Sequence, residues 1–486
     1  MTSHITQTLA DFVHDAEYAA LPPEVVDYTK LVILDTLICG IAAGDFERSH
    51  MMHEIVRGLG GPQEASVFGM ADRVPAAHAA MANAEIFNLL DADDTFFTSS
   101  HFAAFNLAGA LAEAQRLGRS GRDLILGMAV GFDLNARLNL SSIVLGEGED
   151  GSFEWARVNG MGFAALGTAA SAAVAGATLD RQQVRHLFGL VSMMAPTPVV
   201  NTLTNRLEHN TMKYANYPGT AQAGMMALAF AKQGYVDKQD CLDGEGFIRA
   251  QGSLRADEEL LVEELGEKWW ILETCIKYYP ACRYTAGPID MLRRLMREKE
   301  LCAEDIEKIE IRMHPMGYAL RIFQEPPKEI ATDHRAALNG AFNIPYVMAL
   351  AALGRTPGPQ WYSEENLKDP EVWKLAARIV TAEDESARDD VLRAFRETRI
   401  RRFRKTPASM SVWVSGQEHR CDAEYADGDP WTPETHATWE SVEQKFQNFC
   451  SHLMPQEEIR GLIDCVRNLE SVKDVSRELK LPSATA

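Results

Sequence analysis

The chain is poor in the features that mark several common protein classes. Its eight cysteines (39, 241, 275, 282, 302, 421, 450 and 465) form no Cys-x-x-Cys pair and no metal-ligand spacing. A zinc-stapled fold is therefore excluded, and free thiols in a reducing, cytosol-like compartment are expected. No apolar run approaches the length of a membrane span. The opening residues also lack the basic and then apolar plan of a secretory signal. Basic residues are scarce, with 48 Lys and Arg against 69 Asp and Glu, a formal charge of −21. That balance argues against nucleic acid or an anionic membrane as partner. The basic run from Arg399 to Lys405 is the exception, and it reads as a solvated edge or an internal salt-bridge partner. Phosphate-binding glycine loops of the Gly-x-x-x-x-Gly-Lys-Ser/Thr or Gly-x-Gly-x-x-Gly kind are missing, as is the nucleophile elbow Gly-x-Ser-x-Gly.

What remains is globular in composition, 46% apolar and 24% charged. At 486 residues the chain exceeds one ordinary core, so two or three compact units are expected. The first half reads as successive helices. Pro22-Pro23 open a segment, 24–43, with apolar residues at helical spacing, and Gly40 and Gly44 look like its stop. Residues 76–90 and 103–117 follow, the latter ending at Gly118, and Ser120 with Asp123 predicts a capping box for a helix to about Leu138. The small-residue stretch 162–178 suits a helix closely approached by its neighbours, and 219–233 repeats the style.

Beyond about residue 265 the pattern changes. Ile306–Met313 and Met410–Val414 alternate like half-buried strands, with Gly416 as a turn before Arg420–Tyr425. Helical patterns occupy 335–353 and 370–380, and amphipathic helix returns from Trp439. The expected architecture is mainly α, a large helical domain (1–265, completed by 430–486) with an inserted α+β lid domain (266–429) and a cleft between them.

Three segments carry candidate chemistry. Asp91-Ala92-Asp93-Asp94-Thr95 with Ser100-His101 gathers three carboxylates, a hydroxyl and an imidazole in eleven residues. It reads as a helix cap, a hard-metal site or an acid/base site. A Mg²⁺ site would want a second acidic cluster or phosphate-binding elements, and neither is evident. Lys277-Tyr278-Tyr279-Pro280-Ala281-Cys282-Arg283-Tyr284-Thr285 gathers cations and phenols that suit carboxylate binding. The same residues also suit an amphipathic linker with snorkelling cations. Lys213, ahead of the small-residue segment from Gly219, is either an anion seat at a helix start or a surface lysine, the simpler reading. No Cys/His pattern makes Cys282 a nucleophile, and a buried, inert thiol is expected.

In this order, these segments resemble the MmgE/PrpD family of 2-methylcitrate dehydratases and cis-aconitate decarboxylases. Leu21-Pro22-Pro23-Glu24-Val25-Val26 with Leu34-Asp35-Thr36 is similar to the family's opening helix. Asp91 to His101 is similar to its Asp-aromatic-Asp-Asp-Thr…His signature, and Lys277 to Thr285 with Ile289-Asp290 to its Lys-x-Tyr-Pro-x-Cys segment. The resemblance implies a homodimer acting on a small di- or tricarboxylate without metal or organic cofactor, and it places Asp91, Thr95, His101, Lys213 and Lys277 on positions that line the family's active site. Asp91, Lys213, Lys277 and His101 are the expected catalytic residues, Thr95, Arg283, Tyr279 and Tyr284 the expected substrate binders, and the expected location is cytoplasmic. Two family histidines are missing: Val158 and Ala286 stand at those places, and no histidine lies between His101 and His186. The implied reaction is a dehydratase- or decarboxylase-type lyase. An epimerase or racemase of a small dicarboxylate is the nearest alternative, and a non-catalytic paralogue a further one.

Overall fold

The computed structural model describes residues 4–97, 100–147, 153–155, 160–197, 211–213, 215–315, 317 and 330–482. Its first half is built of helices. Helix α1 (Pro23–Ala43) begins with proline at its first position, where the missing N–H has no helical partner to lose. It is apolar on every side and almost wholly buried. Gly40 does not stop it. A Cβ there would lie 2.7–2.9 Å from the rings of Phe87 and Phe68, so this glycine is a packing residue inside the helix. Helices α2 (Ala76–Asn88) and α3 (Ala103–Leu117) follow, and α3 ends at Gly118, φ +61°, as its sequence predicts. Helix α4 (Gly121–Ser141) starts with the expected box: Asp123 N–H donates to Ser120 Oγ, and Ser120 N–H to Asp123 Oδ2 at 2.9 Å. Helices α5 (Ala164–Gly176) and α6 (Tyr217–Lys232) follow, and Ile5–Asp15, Glu47–Leu59 and Arg181–Met194 are helical too.

Helix α5 is the hub, packed against α3, α4 and α6. Its small side chains allow these neighbours to approach to backbone contact, as the stretch 162–178 predicts. A Cβ on Gly131 of α4 would stand 2.6 Å from the Gly167 carbonyl, and one on Gly109 of α3 would stand 2.7 Å from the Thr168 carbonyl. One buried amide knits the crossing together. Asn135 donates to Asn106 Oδ1 at 3.0 Å and accepts from Gly167 N–H at 3.1 Å.

The second half is a two-layer α+β unit. Helix α7 (Arg283–Glu298) leads into β1 (Ile306–Met313), and helix α8 (Ile344–Ala352) precedes β2 (Ile379–Glu383). Strands β3 (Ala408–Val414) and β4 (Gln417–Ala423) follow, and the sheet order is β2-β1-β3-β4. β2 lies parallel to β1, while β1–β3 and β3–β4 are antiparallel. Ser415 (φ +53°) and Gly416 (φ +74°) make the two-residue hairpin turn, both in the left-handed region that such turns require. Ile309, Ile311 and Met313 face the core and alternate with Glu310 and Arg312. Helix α7 covers β3 and β4 and also packs on α8, which touches β2.

Two helical expectations change here. The segment 335–353 breaks at Phe342-Asn343 because the Asn343 side chain caps a new helix by accepting from Tyr346 N–H. The segment 370–380 is helical only for Pro370–Ala376, and Ile379 and Val380 pair in the sheet. From the tail, helix α9 (Trp439–Cys450) packs on α1.

The basic run fastens the second half to the first through Arg399, which pairs with Asp257 and Glu259, and through Arg402, which donates to Asn139 Oδ1 at 3.2 Å and to the Ser142 carbonyl at 3.1 Å. Arg404 pairs with Glu273 and Lys405 with Glu424, within the second half. Through Arg399, Arg404 and Lys405 the run is an internal salt-bridge partner, one of its two sequence readings. Among the described residues no helix is long and apolar enough to cross a membrane, and all eight cysteines are free thiols.

The helix crossing generates a stability prediction. Gly131→Ala should destabilise by roughly 1–3 kcal/mol through overpacking against a backbone carbonyl that cannot yield. Urea unfolding should show a lower midpoint. A midpoint raised by alanine's better helix propensity would mean that the α4–α5 contact is looser than described.

Candidate active site

Helix α2 ends at Asn88, and the chain turns through Asp91 with φ +56°. Asparagine and aspartate are among the few non-glycine residues that enter this left-handed region at moderate cost. The turn is followed by a two-residue strand, Thr95–Phe96, which pairs antiparallel with Thr274–Cys275. This short ladder joins the two sequence motifs across the chain, placing Lys277 two residues beyond the partner of Thr95. Thr274 Oγ1 donates to Asp94 Oδ2 at 3.0 Å and locks the ladder to the acidic cluster.

Asp91 is the meeting point. Lys213 Nζ donates to its Oδ1, while Lys277 Nζ donates to its Oδ2 at 3.0 Å and to its backbone carbonyl. Lys213 also holds the Asn88 carbonyl at 3.0 Å. Asp91, Lys213 and Lys277 are each no more than 2% exposed, which overturns both the surface reading of Lys213 and the snorkelling reading of Lys277. Burial alone would raise the Asp91 pKa, but the Lys213 and Lys277 ammoniums outweigh it and hold the carboxyl well below its usual range. Lys213 is shifted down by burial, against the opposing pull of Asp91.

His101 lies beside this cluster, buried, with Nδ1 2.5 Å from the Asp94 carbonyl and 3.8 Å from Asp93 Oδ1. A carbonyl only accepts, so Nδ1 carries the proton and the lone pair is on Nε2. Burial lowers the imidazole pKa, more than Asp93 raises it. His101 is therefore neutral at pH 7 and able to take up a proton.

The other carboxylates position rather than bind. Asp94 accepts from Ala103 N–H at 3.0 Å and caps α3, and burial together with the charge of Asp93 raises its pKa. Asp93 accepts from Asn88 Nδ2 at 2.8 and 2.9 Å. The cap reading of the motif thus holds for Asp94, while Asp91 does something else. Asp93 and Asp94 belong to the acidic motif, but Asn88, which bonds Asp93 and gives its carbonyl to Lys213, carries no signal in the sequence.

The remaining candidates divide. Thr95 Oγ1 is buried with no hydrogen-bond partner among the described residues, so it is available to a ligand. Tyr279 donates to Asp290 Oδ1 at 2.6 Å and is committed within the protein, whereas Arg283 pairs with Asp429 through Nη2 and keeps Nε and Nη1 buried with no hydrogen-bond partner among the described residues. Tyr284 stacks on His314. Cys282 lies near Asp91 and the lysines, and burial pushes its thiol up to about 12, the inert state its sequence suggests. Phe342 stands with its ring centroid 5.8 Å from Lys213 Nζ, and Cys282 N–H donates to the Ala341 carbonyl at 2.9 Å. Elements of the α+β half therefore reach the cluster. Ala286 is buried in α7, and Val158 lies outside the described residues. Among the described residues no three His, Cys, Asp or Glu side chains are grouped to hold a metal ion.

With this geometry in place, comparison with known proteins is decisive. Residues 7–255 match the MmgE/PrpD N-terminal domain and residues 279–471 the MmgE/PrpD C-terminal domain. The chain belongs to the MmgE/PrpD family. It is similar to cis-aconitate decarboxylase of Homo sapiens, 24% identical over 98% of this chain and 94% of that protein. It is similar also to cis-aconitate decarboxylases of Mus musculus (24%, over 99% and 95%) and Aspergillus terreus (21%, over 80% and 80%). These relatives are lyases, and the chain is an enzyme of their family.

The shared carboxylate generates a prediction for this MmgE/PrpD member. Asp91→Asn leaves two buried ammoniums without a counter-charge and should cost about 3–5 kcal/mol of stability. The sign with pH follows from the lowered pKa. The Asp91 contribution is complete above its unfolded value of 3.8 and is lost as pH falls through the depressed folded value. Urea unfolding at pH 5 should show the full gap between wild type and variant, narrowing toward pH 8 as the uncompensated Lys213 of the variant sheds its proton. Equal midpoints at pH 5 would contradict the assignment.

Proposed function

We propose that the protein is a cofactor-independent lyase that acts on a small di- or tricarboxylate, as a decarboxylase or dehydratase, by proton transfer next to a carboxylate. One observation carries this reading: two buried lysines converge on one ion-paired carboxylate in a left-handed turn, with a neutral, buried imidazole beside them. An acidic protein has little to attract a polycarboxylate elsewhere. The surface groove lined by Glu24, Glu264, Glu267 and Glu273 repels such a ligand. The Asp91 cluster supplies fixed, desolvated ammonium groups, whose hydrogen bonds to an anion are strong.

In this reading Lys277 and Lys213 hold substrate carboxylates, sharing their protons with Asp91, and Thr95 Oγ1 donates to the same ligand. Dehydration requires a base that removes a proton from carbon and an acid that protonates the departing hydroxyl. Neutral His101 takes the first role, and the imidazolium so formed can return its proton to the hydroxyl. Decarboxylation breaks a C–C bond, releases CO₂ and leaves the electron pair on carbon, which then takes one proton. Lys213 is the donor here, because burial has made it a stronger acid than an ordinary lysine. Tyr279, Arg283 and Tyr284 set the shape of the site from behind. The active protein is a homodimer, and the apolar stripe Met51, Ile55 and Leu59, exposed at 43, 51 and 53%, supports that reading. A cleft between a helical domain (1–265 with 430–486) and a lid (266–429) belongs to the same proposal.

Carbon NMR in D₂O with a panel of polycarboxylates, cis-aconitate and 2-methylcitrate among them, should show loss of CO₂ or water. Deuterium wash-in with inversion and no mass loss would instead establish an epimerase. Lys277→Met keeps the packing and removes the charge. It should cost about 2–4 kcal/mol of transition-state binding, roughly a thirty- to thousand-fold fall in kcat/KM. His101→Asn should lower kcat more than it raises KM. Near-wild-type turnover in both folded variants would misplace the site.

Asp91, Asp93 and Asp94 are each occupied by protein donors. Activity should therefore survive exhaustive chelation, and its restoration by Mg²⁺ or Mn²⁺ after a loss would overturn that part of the proposal.

A further inference from the structure

Four carbonyls between Asn88 and Asp94 are each held by a side chain from a different part of the chain. Lys213 takes that of Asn88, Lys277 that of Asp91, and His101 Nδ1 that of Asp94. The fourth is Lys445 of α9, which donates to the Ala92 carbonyl at 2.7 Å. No motif marked Lys445, which comes from the C-terminal helix, more than 160 residues beyond Lys277. Its ammonium uses its remaining donors on Asp35 Oδ1 at 2.5 Å and Cys39 Sγ at 3.6 Å, both on α1. Lys445, Asp35 and Ala92 are all within 1% of full burial, so water cannot replace any of these bonds.

We propose that Lys445 is a positioning residue for the reaction: it fixes the Ala92 carbonyl, and through it the left-handed turn that sets Asp91 between Lys213 and Lys277. This deepens the reading of the Asp91 cluster as the reacting site and rests on it. The argument is one of constraint. Asp91 sits at φ +56°, a conformation the backbone holds only if its neighbours over-determine it. Lys277 fixes the peptide carbonyl at Asp91, and Lys445 fixes the next one. Two successive carbonyls held by buried cations leave the turn little freedom to relax to an ordinary helical or extended φ. The Asp35 carboxylate allows Lys445 to remain charged in this place, and α9 packing on α1 carries the lysine there.

The test separates the charge from the donor. Lys445→Met alone strands Asp35 and is expected to lower Tm, so the informative variants are double. Asp35→Asn/Lys445→Met and Asp35→Asn/Lys445→Gln carry the same charge, but only the second keeps an N–H to give to Ala92. The glutamine pair should retain kcat within about threefold of wild type. The methionine pair should lose at least about tenfold in kcat with KM changed by less than about twofold. Hydrogen exchange of the peptide spanning residues 88–97 reads the turn without reference to turnover, and it should quicken in the methionine pair but not in the glutamine pair. Equal exchange and equal kcat in the two pairs would overturn the positioning role. If wild type turns over no polycarboxylate, the functional reading fails, and the exchange comparison still decides for or against Lys445.

Discussion

One carboxylate shared between two lysines organises this molecule. Asp91 gives one oxygen to Lys213 and the other to Lys277, and every element around it is arranged so that this can happen in a dry interior. The end of α2 delivers the turn, and the ladder of Thr95–Phe96 with Thr274–Cys275 delivers Lys277. The segment before α6 delivers Lys213, whose carbonyl is tied to Asn216, the cap of that helix. Two ammoniums cannot be buried side by side without a counter-charge. The carboxylate in turn stays ionised only because they are there. The cluster is thus mutually dependent, which is why its parts come from three distant stretches of an otherwise acidic chain.

Much of this was legible in the sequence where the physics is local. The capping box at Ser120 and the stop at Gly118 are decided within a few residues, and so is the hairpin turn at Ser415-Gly416. The structure has them where the pattern puts them. The small-residue helix α5 was legible for a related reason. A stretch that buries almost nothing but alanine, glycine, serine and threonine can be accommodated only where other backbones come close. Gly40 misled because a glycine near a helix end looks the same whether it frees φ or admits a neighbouring ring. β2 was hidden because Ile379-Val380-Thr381 is too short to show a period, and its partner strand lies some seventy residues upstream.

The site was legible as chemistry and less so as geometry. Asp91, Lys277 and His101 sit in motifs dense enough in functional groups to announce themselves. Lys213 did not, because what buries it is a carboxylate 122 residues away. Arg283 and Tyr279 look from their spacing like ligands for an anion, yet each has found one inside the protein, Asp429 and Asp290. Lys445 carries no local signal at all: one lysine in an amphipathic helix is ordinary until the fold sets its nitrogen against Ala92. The basic run was readable by elimination, since in a chain of −21 its charges have carboxylates to meet at home.

The state of His101 and Lys213 bears on which lyase reaction the site can run. A neutral imidazole starts as a base, which suits dehydration: it removes a proton from carbon and, once charged, protonates the departing hydroxyl. Decarboxylation has no proton to remove at the start, because CO₂ leaves first and an acid must then be waiting at the carbon. No second histidine lies in the stretch between His101 and His186, and in the proposed reading the acid is a residue of another type. In the proposed reading Lys213 qualifies: burial weakens its hold on the proton, while Asp91 opposes that shift. A substrate carboxylate seated between the lysines competes with Asp91 for the Lys213 ammonium. In the proposed reading binding and proton delivery are then coupled through one nitrogen, which lets His101 serve the dehydration and Lys213 the decarboxylation.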